Sequence, residues 1–110
     1  MATPEEFFAI DMRVGTVLDA EPFPEARKPS IKLLIDFGPE LGQKRSSAQL
    51  TVHYTPGQLI GRQVVAAVNL GVRRIAGFSS EVLVLGGMPT QTEVVLLALD
   101  QPVANGTRIG

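Results

Sequence analysis

Two short segments of this sequence combine cationic, hydroxyl and amide side chains closely enough to hold a ligand. The first, Gly42–Gln49, carries this set in order: Lys44, Arg45, Ser46, Ser47 and Gln49. Such a set can bind a phosphate or a peptide backbone through charge-assisted hydrogen bonds. Alternatively, the cations are solvated at a strand end and the serines cap the following connector. The residue types leave both interpretations open.

The second segment, Arg73–Ser80, adds apolar side chains to the same chemistry. Its arginines and serines would form the rim of a pocket whose walls are Ile75 and Phe78. An extended polypeptide needs apolar pockets and a few hydrogen bonds to its backbone, so this mixture suits a polypeptide at least as well as RNA. The alternative is that Ile75 and Phe78 plug one end of a barrel.

Enzymatic chemistry has little support. The single histidine, His53, lies near a turn, and the chain has neither a cysteine nor a second histidine to share a metal. Glu5 and Glu6 are explained by a helix start. Gly86-Gly87 indicates a turn, because no GxxxxGK[ST] phosphate-binding motif follows it. We therefore predict no catalytic residue, no metal site and no cofactor.

Composition narrows the classes of protein further. The 110 residues suffice for one domain, predicted to span residues 1–110. Ten basic and eleven acidic residues give a net charge of −1, whereas general nucleic-acid binders are usually strongly basic. No basic segment precedes a long apolar run at the N-terminus, and no apolar run is long enough to span a bilayer. These features predict a cytoplasmic protein without membrane insertion.

The elements that must position these segments centre on Val64–Gly87. Two β-branched runs, Val64–Val68 and Val82–Leu85, are too short for helices and predict strands. They enclose a polar insert, Asn69–Glu81, that we interpret as a loop. Neither run alternates apolar with polar residues, so both faces of each strand should be covered.

The rest of the chain predicts further short elements. A helix should start at Thr3-Pro4-Glu5-Glu6, and the first strand should bend at Gly15. The predicted strands are Asp11–Leu18, Ser30–Phe37, Gln43–Ser47, Gln63–Val68, Glu81–Leu85 and Glu93–Leu99. Residues Ala48–Tyr54 predict a short helix or an irregular connector. About five core strands with many glycine and proline turns predict an all-β protein, a five-stranded Greek-key barrel of the OB-fold type.

Two of these strands are more apolar than a single small barrel requires. Val82–Leu85 and Val94–Leu97 lack polar positions. If their outer faces were exposed to solvent, they would form an apolar patch prone to association. We expect a symmetric homodimer that covers them. The alternative is that the N-terminal helix and C-terminal tail of the same chain cover them.

Several motifs resemble a known family. Asp11-Met12-Arg13-Val14-Gly15 resembles the D-x-R-V-G opening of the tRNA-binding domain shared by structure-specific tRNA-binding proteins, methionyl-tRNA synthetases and EMAP-II-like cytokine precursors. Val68-Asn69-Leu70, Arg73-Arg74 and Gly77–Glu81 fall where that family has its N-L, basic-pair and G-x-x-S segments. The combination of PEARKPSIKLLIDFG, KRSSAQ, NLGVRRIAGFSSEVLVLGG and DQPVANGTRIG is similar to the CsaA group of export-related chaperones within that family.

The resemblance implies an OB-fold with short helices and N- and C-terminal extensions, a homodimer and a cytoplasmic location. It also implies a chaperone-like role, in which unfolded preproteins are bound and passed towards the secretion machinery. One position departs from the wider tRNA-binding pattern. Glu81 follows Ser80 where that pattern has Gly-Met after the serine, and it places a negative charge beside the RNA-binding face.

Two functions follow as hypotheses. The first is a dimeric, ATP-independent chaperone that binds polypeptide through Phe37, Ser46, Ser47, Asn69, Arg73, Arg74, Ile75 and Phe78. The second is a structure-specific tRNA-binding protein that uses Arg13, Lys32, Lys44, Arg45, Arg73, Arg74, Ser79 and Ser80. A scaffold domain with an unnamed partner is a third possibility.

Overall fold

The computed structural model describes residues 1–110. Most of its regular elements are short strands. The strands are β1 (Met12–Pro22), β2 (Ile31–Asp36), β3 (Gln43–Ala48), β4 (Gln63–Ala67), β5 (Arg73–Ile75), β6 (Phe78–Ser80), β7 (Leu83–Val84), β8 (Gly86–Gly87) and β9 (Val95–Leu96). The helices are α1 (Pro4–Ala9), α2 (Gly38–Leu41) and α3 (Pro56–Leu59). No helix has the length and apolarity that a bilayer crossing requires.

Five strands build one antiparallel sheet in the order β3-β2-β1-β4-β7. The long strand β1 pairs with β4 along Met12–Thr16 and with β2 along Thr16–Pro22, so it belongs to both halves of the barrel. Alternate side chains of β2 are buried, as the two-residue period of a strand requires. The core is formed by Val17, Ile31, Leu33, Ile35, Phe37, Leu50, Leu59, Val64 and neighbouring residues. The predicted all-β barrel of the OB-fold type is confirmed.

Main-chain and side-chain hydrogen bonds to Glu81 and Val82 close the free edge of β3. The Arg45 amide donates to the Glu81 carboxylate at 3.0 Å, and the Glu81 amide donates to the Arg45 carbonyl at 2.8 Å. One residue further along, the Ser46 hydroxyl donates to the Val82 carbonyl at 2.9 Å. These bonds replace the ladder that a neighbouring strand would supply, and they bring the segment after β6 against β3.

The predicted bend at Gly15 is wrong in position. The register of β1 shifts between Val17 and Asp19, so the irregularity surrounds Leu18, and β1 continues to Pro22. Gly15 is needed for a different reason. A Cβ atom there would lie 2.6 Å from a methyl carbon of Ile35 and 2.8 Å from the Phe37 ring. The absence of a side chain therefore lets the core pack directly against the β1 backbone.

The C-terminal tail extends the barrel along the first half of β1. The Gly106 amide donates to the Val14 carbonyl at 2.7 Å, and the Val14 amide donates to the Thr107 carbonyl at 2.9 Å.

At the other end of the chain, α1 begins at the predicted Thr3 with a capping box: the Glu6 amide donates to the Thr3 hydroxyl, and the Thr3 amide donates to the Glu6 carboxylate. No residue of α1 is buried.

The C-terminal strands are shorter than predicted. Glu81–Leu85 contains only Leu83–Val84 as a strand, and Glu93–Leu99 contains only Val95–Leu96. The pairing partner of Val95–Leu96 is Gly86–Gly87, which the sequence predicted as a turn. A Cβ on Gly86 would lie 2.5 Å from the Val95 carbonyl oxygen, so glycine permits this close approach.

The apolar outer faces in this region stay uncovered within the chain. Leu83, Val95, Leu97, Leu99 and Val103 are all exposed, and we call them the leucine strip. The apolar side chains of the N-terminal segment are not buried against other apolar surface either, since Phe7, Phe8 and Ile10 are exposed. The prediction that both faces of the last strands are covered does not hold within one chain.

The connector after β3 contains turns and then α3, which the sequence analysis missed. Thr55 precedes Pro56, and its amide donates to the side-chain oxygen of Gln58, with an N···O distance of 2.9 Å. The T-P-G-Q sequence matches the capping-box pattern, which is the signal that was overlooked.

Gly15→Ala should destabilise the barrel, because its Cβ would overlap Ile35 and Phe37. We expect a loss of about 1 to 3 kcal/mol in the free energy of unfolding, measured by urea denaturation. Gly57→Ala is the matched control, since nothing lies within 4 Å of a Cβ at that position. Equal stability of the two variants would show that β1 does not need this close approach.

Candidate functional site

The outer face of β1, β2 and β3 carries charges of opposite sign on opposite strands. Two rows of paired residues cross it: Asp19, Leu34 and Arg45 in the first, and Glu21, Lys32 and Ser47 in the second. Because side chains alternate along a strand, these residues share one face while their neighbours point into the barrel. Carboxylates therefore line β1, whereas a cation and a hydroxyl line β3.

A groove lies on this face and is closed at one end by the β5–β6 hairpin. Its volume is about 310 Å³, and its lining residues are Asp19, Glu21, Lys32, Leu33, Leu34, Arg45 and Phe78. We call it the outer groove. Its lining mixes an aromatic ring and leucines with two acids and two cations.

Lys32 fixes the aromatic end of the outer groove. Its ammonium nitrogen lies 4.7 Å from the ring centroid of Phe23 and 5.3 Å from that of Phe78. The two rings contact each other edge to face, with centroids 5.4 Å apart. Arg45 adds a second cation 5.6 Å from the Phe78 centroid. Each such contact contributes about 0.5 to 1 kcal/mol at an exposed site, so Phe78 is held in place while half-exposed.

The polar insert predicted as a loop forms a tight hairpin. β5 and β6 pair Arg73 with Ser80, Arg74 with Ser79 and Ile75 with Phe78. The two turn residues, Ala76 and Gly77, have φ values of 47° and 81°. Positive φ at both positions defines a type I′ turn, whose twist matches that of the flanking strands. The sequence analysis missed this hairpin because the Ala-Gly turn lacks the usual Asn-Gly signature.

The hydroxyl groups around the hairpin are mostly engaged within the chain. The Ser47 amide donates to the Ser80 hydroxyl oxygen at 3.0 Å, and Ser80 is buried. Ser46 is buried as well and donates to a main-chain carbonyl, as described for the β3 edge. Arg74 donates to the Ser79 hydroxyl at 3.1 Å. Of the predicted serines, Ser47 is the one that the register places beside Lys32 on the outer face.

Two residues predicted to bind polypeptide have structural positions instead. Phe37 is fully buried beneath Gly15, so it cannot form a wall of a surface pocket. Asn69 is exposed, but its side-chain oxygen accepts from the Asp11 amide at 2.8 Å and its nitrogen donates to the Ala9 carbonyl at 2.9 Å. Asn69 therefore holds the end of α1 against the barrel.

Arg13, predicted to contact RNA, is also engaged within the fold. Its guanidinium donates to Asp11 at 2.7 Å and to the Gly106 carbonyl at 3.1 Å, and its side chain is only 16% exposed. The hydrogen bond with Asp11 raises the pKa of Arg13 above its already high ordinary value, so the guanidinium stays charged. Arg13 joins β1 to the tail and is not available to phosphates.

The remaining predicted cations differ in their surroundings. Arg73 and Arg74 are exposed on the hairpin, and no carboxylate lies within 4 Å of either one. Lys44 neighbours Arg45 on β3 and so points to the opposite face of the strand. The structure thus brings Lys32 and Arg45 together with Phe78, places Arg73, Arg74 and Ile75 on the adjoining hairpin, and separates Arg13 from them.

Comparisons with known proteins identify the family of this chain. Residues 12–108 match the family model described as "Putative tRNA binding domain". The chain belongs to the tRNA-binding-domain family. Within it, the crystal structure of the chaperone CsaA from Bacillus anthracis is 56% identical with a TM-score of 0.95, covering 100% of this chain and 99% of that one. CsaA from Picrophilus torridus is 43% identical with a TM-score of 0.91, covering 100% of both chains.

Enzymes in this family match only in part. The methionine–tRNA ligase of Methanocaldococcus jannaschii is 33% identical over 100 residues, which are 91% of this chain and 15% of the ligase. The chain therefore spans about 15% of the length of that relative. The family model and the CsaA structures describe a binding domain and chaperones, and the resemblance to the CsaA group is confirmed.

The sequence analysis missed four lining residues of the outer groove: Asp19, Glu21, Leu33 and Leu34. The available signal was the alternation of Asp19 and Glu21 along β1, but the predicted strand ended at Leu18. Extending that strand to Pro22 would have placed both carboxylates on one face.

Ala76→Asn should stabilise the hairpin that bears Phe78. Alanine at a φ of 47° has about 1 kcal/mol of backbone strain, whereas Asn-Gly is the preferred pair in a type I′ turn. We expect the Tm to rise by about 2 to 6 °C in thermal unfolding. Ala76→Val, with a β-branched side chain in the same conformation, should lower it. If Asn and Val have the same effect, the turn assignment is wrong.

Proposed function

We propose that this chain is a chaperone-like protein that binds extended, partly apolar segments of unfolded polypeptides in the outer groove without ATP. The observation that carries the proposal is the lining of this groove. Phe78 and Leu34 offer apolar contact area, and charged groups surround them. Extended polypeptide is recognised by apolar pockets together with a few hydrogen bonds to the main chain.

The charge of the groove supports polypeptide over nucleic acid. Two carboxylates and two cations line it, so their formal charges cancel. A site that tracks a phosphate backbone gains most of its affinity from uncompensated cations. Lys32 is, in addition, surrounded by two rings and lies 3.9 Å from Glu21. A phosphate approaching Lys32 would meet a carboxylate beside it.

Donors for a bound main chain lie along the β3 side. Arg45 is exposed, and no carboxylate lies within 4 Å of its guanidinium. Ser47 follows it on the same face of the strand, beside Lys32. These groups could donate to peptide carbonyls while apolar side chains of the ligand pack on Phe78.

The similar structures support the same function. Both CsaA proteins are described as chaperones, and both cover the whole of this chain. The proposal extends to unfolded preproteins as ligands, to delivery towards the secretion machinery and to a cytoplasmic location. The exposed leucine strip supports a homodimer in which two copies bury it, because large exposed apolar side chains in one region of a chain often mark an interaction surface.

A structure-specific tRNA-binding function is the second candidate. The family match favours it, and so do Arg73 and Arg74, which are exposed and have no carboxylate partner. This candidate predicts an affinity that falls with roughly one power of salt concentration per phosphate contacted. The balanced charge of the outer groove makes it the less favoured function.

Phe78→Asp should weaken binding of an unfolded, labelled polypeptide by at least about tenfold in fluorescence anisotropy, since a buried apolar anchor dominates such interfaces. Ile60→Asp is the control, an exposed apolar position outside the groove. Circular dichroism verifies that both variants fold. Equal binding by wild type, Phe78→Asp and Ile60→Asp would remove the outer groove from the proposal.

Retention of tRNA at low and at moderate salt separates the two functions. The polypeptide-binding proposal expects weak retention that is unaffected by Phe78→Asp. If tRNA binds tightly at low salt and the double change of Arg73 and Arg74 to Gln abolishes it, while unfolded polypeptide does not bind, the second candidate is correct.

Sedimentation of the wild type at micromolar concentration should give the mass of two chains. Leu97→Asp, in the leucine strip, should shift the protein to single chains because the carboxylate would be buried without a partner. Val52→Asp, at an exposed apolar position outside the strip, should remain dimeric. A wild type that sediments as soluble single chains would contradict the dimer.

A further inference from the structure

We propose that the outer groove selects by charge as well as by apolarity, preferring polypeptide segments in which a lysine or arginine adjoins an apolar side chain. Asp19 and Glu21 would receive the basic group. This inference rests on the proposed function, because it names the ligand class of the same groove.

Both carboxylates keep bonding capacity for a ligand. One oxygen of Asp19 accepts from the Ala20 amide at 2.9 Å, and no cation lies within 4 Å of this carboxylate. The side chain of Glu21 is 62% exposed, and its nearest cation, Lys32, is at the long distance of 3.9 Å. Neither acid is therefore neutralised by a close internal ion pair.

Lys32 is poorly placed to neutralise the two carboxylates, because its ammonium group also faces two aromatic rings. It lies 4.7 Å from the Phe23 centroid and 5.3 Å from the Phe78 centroid. These contacts draw the cation towards the hairpin end of the groove. The acid side of the groove is left to attract a cation from outside the chain.

The opposite wall has the opposite sign. Arg45 lies across β2 from Asp19, so the two charges are separated by two strand spacings, or about 10 Å between main chains. The groove thus has a negative side on β1 and a positive side on β3. A segment with a basic side chain towards β1 and an apolar one on Phe78 complements both the charge and the ring.

Other ligands fit this polarity less well. An acidic side chain or a phosphate at the β1 side would meet Asp19 and Glu21 directly, and like charges at close range repel. A purely apolar segment would cover these carboxylates without compensating them, which costs free energy. A basic neighbour removes both penalties.

The test uses labelled peptides that are identical except for one residue beside a central leucine: Lys, Gln or Glu. Binding to the wild-type protein is measured by fluorescence anisotropy at low and at high salt. We expect affinity in the order Lys, Gln, Glu, with about three- to tenfold between the first and the last at low salt. The spread should narrow at high salt because exposed charges are screened.

The double variant Asp19→Asn, Glu21→Gln should lose the preference for the basic residue, so that the Lys peptide no longer binds more tightly than the Gln peptide. Asp100→Asn is the matched control, an exposed carboxylate outside the groove, and should keep the wild-type order. Equal affinity of the wild type for all three peptides, with loss of binding in Phe78→Asp, would overturn this inference and leave the proposed function standing. An order that persists in the double variant would also overturn it. Absence of binding to every peptide would overturn both.

Discussion

Closure of the β3 edge is the constraint on which the rest of the structure depends. No full strand pairs with that edge, and the carboxylate of Glu81 accepts from the Arg45 amide in place of a neighbouring main chain. Beside it, the Ser80 hydroxyl accepts from the Ser47 amide, and the Val82 carbonyl accepts from the buried Ser46 hydroxyl. Since Ser80 ends β6 and Glu81 and Val82 directly follow it, closing the barrel also fixes where the hairpin lies. Glu81, which looked like a charge set against RNA, is thus a structural group.

The position of the hairpin determines the chemistry of the outer groove. It carries Phe78 over the outer face of β2, where the ring meets Phe23 and Lys32. The same face receives carboxylates from β1 and a guanidinium from β3, because the strand register sets them in rows. A groove of this composition has apolar contact area without net charge, which suits an unfolded polypeptide better than a phosphate backbone. The proposed function therefore depends on a side-chain arrangement that three separate strands and a hairpin build together.

Much of the fold could be predicted from local patterns. The capping box at Thr3, the alternation in Ile31–Asp36 and the apolar run before Asn69 each identify an element from its own residues. The family motifs identify the OB-fold and the CsaA group. The candidate site was predicted less well, because the role of a residue such as Asn69 or Phe37 depends on contacts with distant segments.

The most direct test of the account is an amide NMR titration of the intact protein with an unfolded polypeptide. The account predicts that the largest shift changes fall on the outer groove and hairpin, at residues 19–21, 32–34, 45–47 and 73–80. Changes confined to the leucine strip, or spread evenly over the surface, would contradict it.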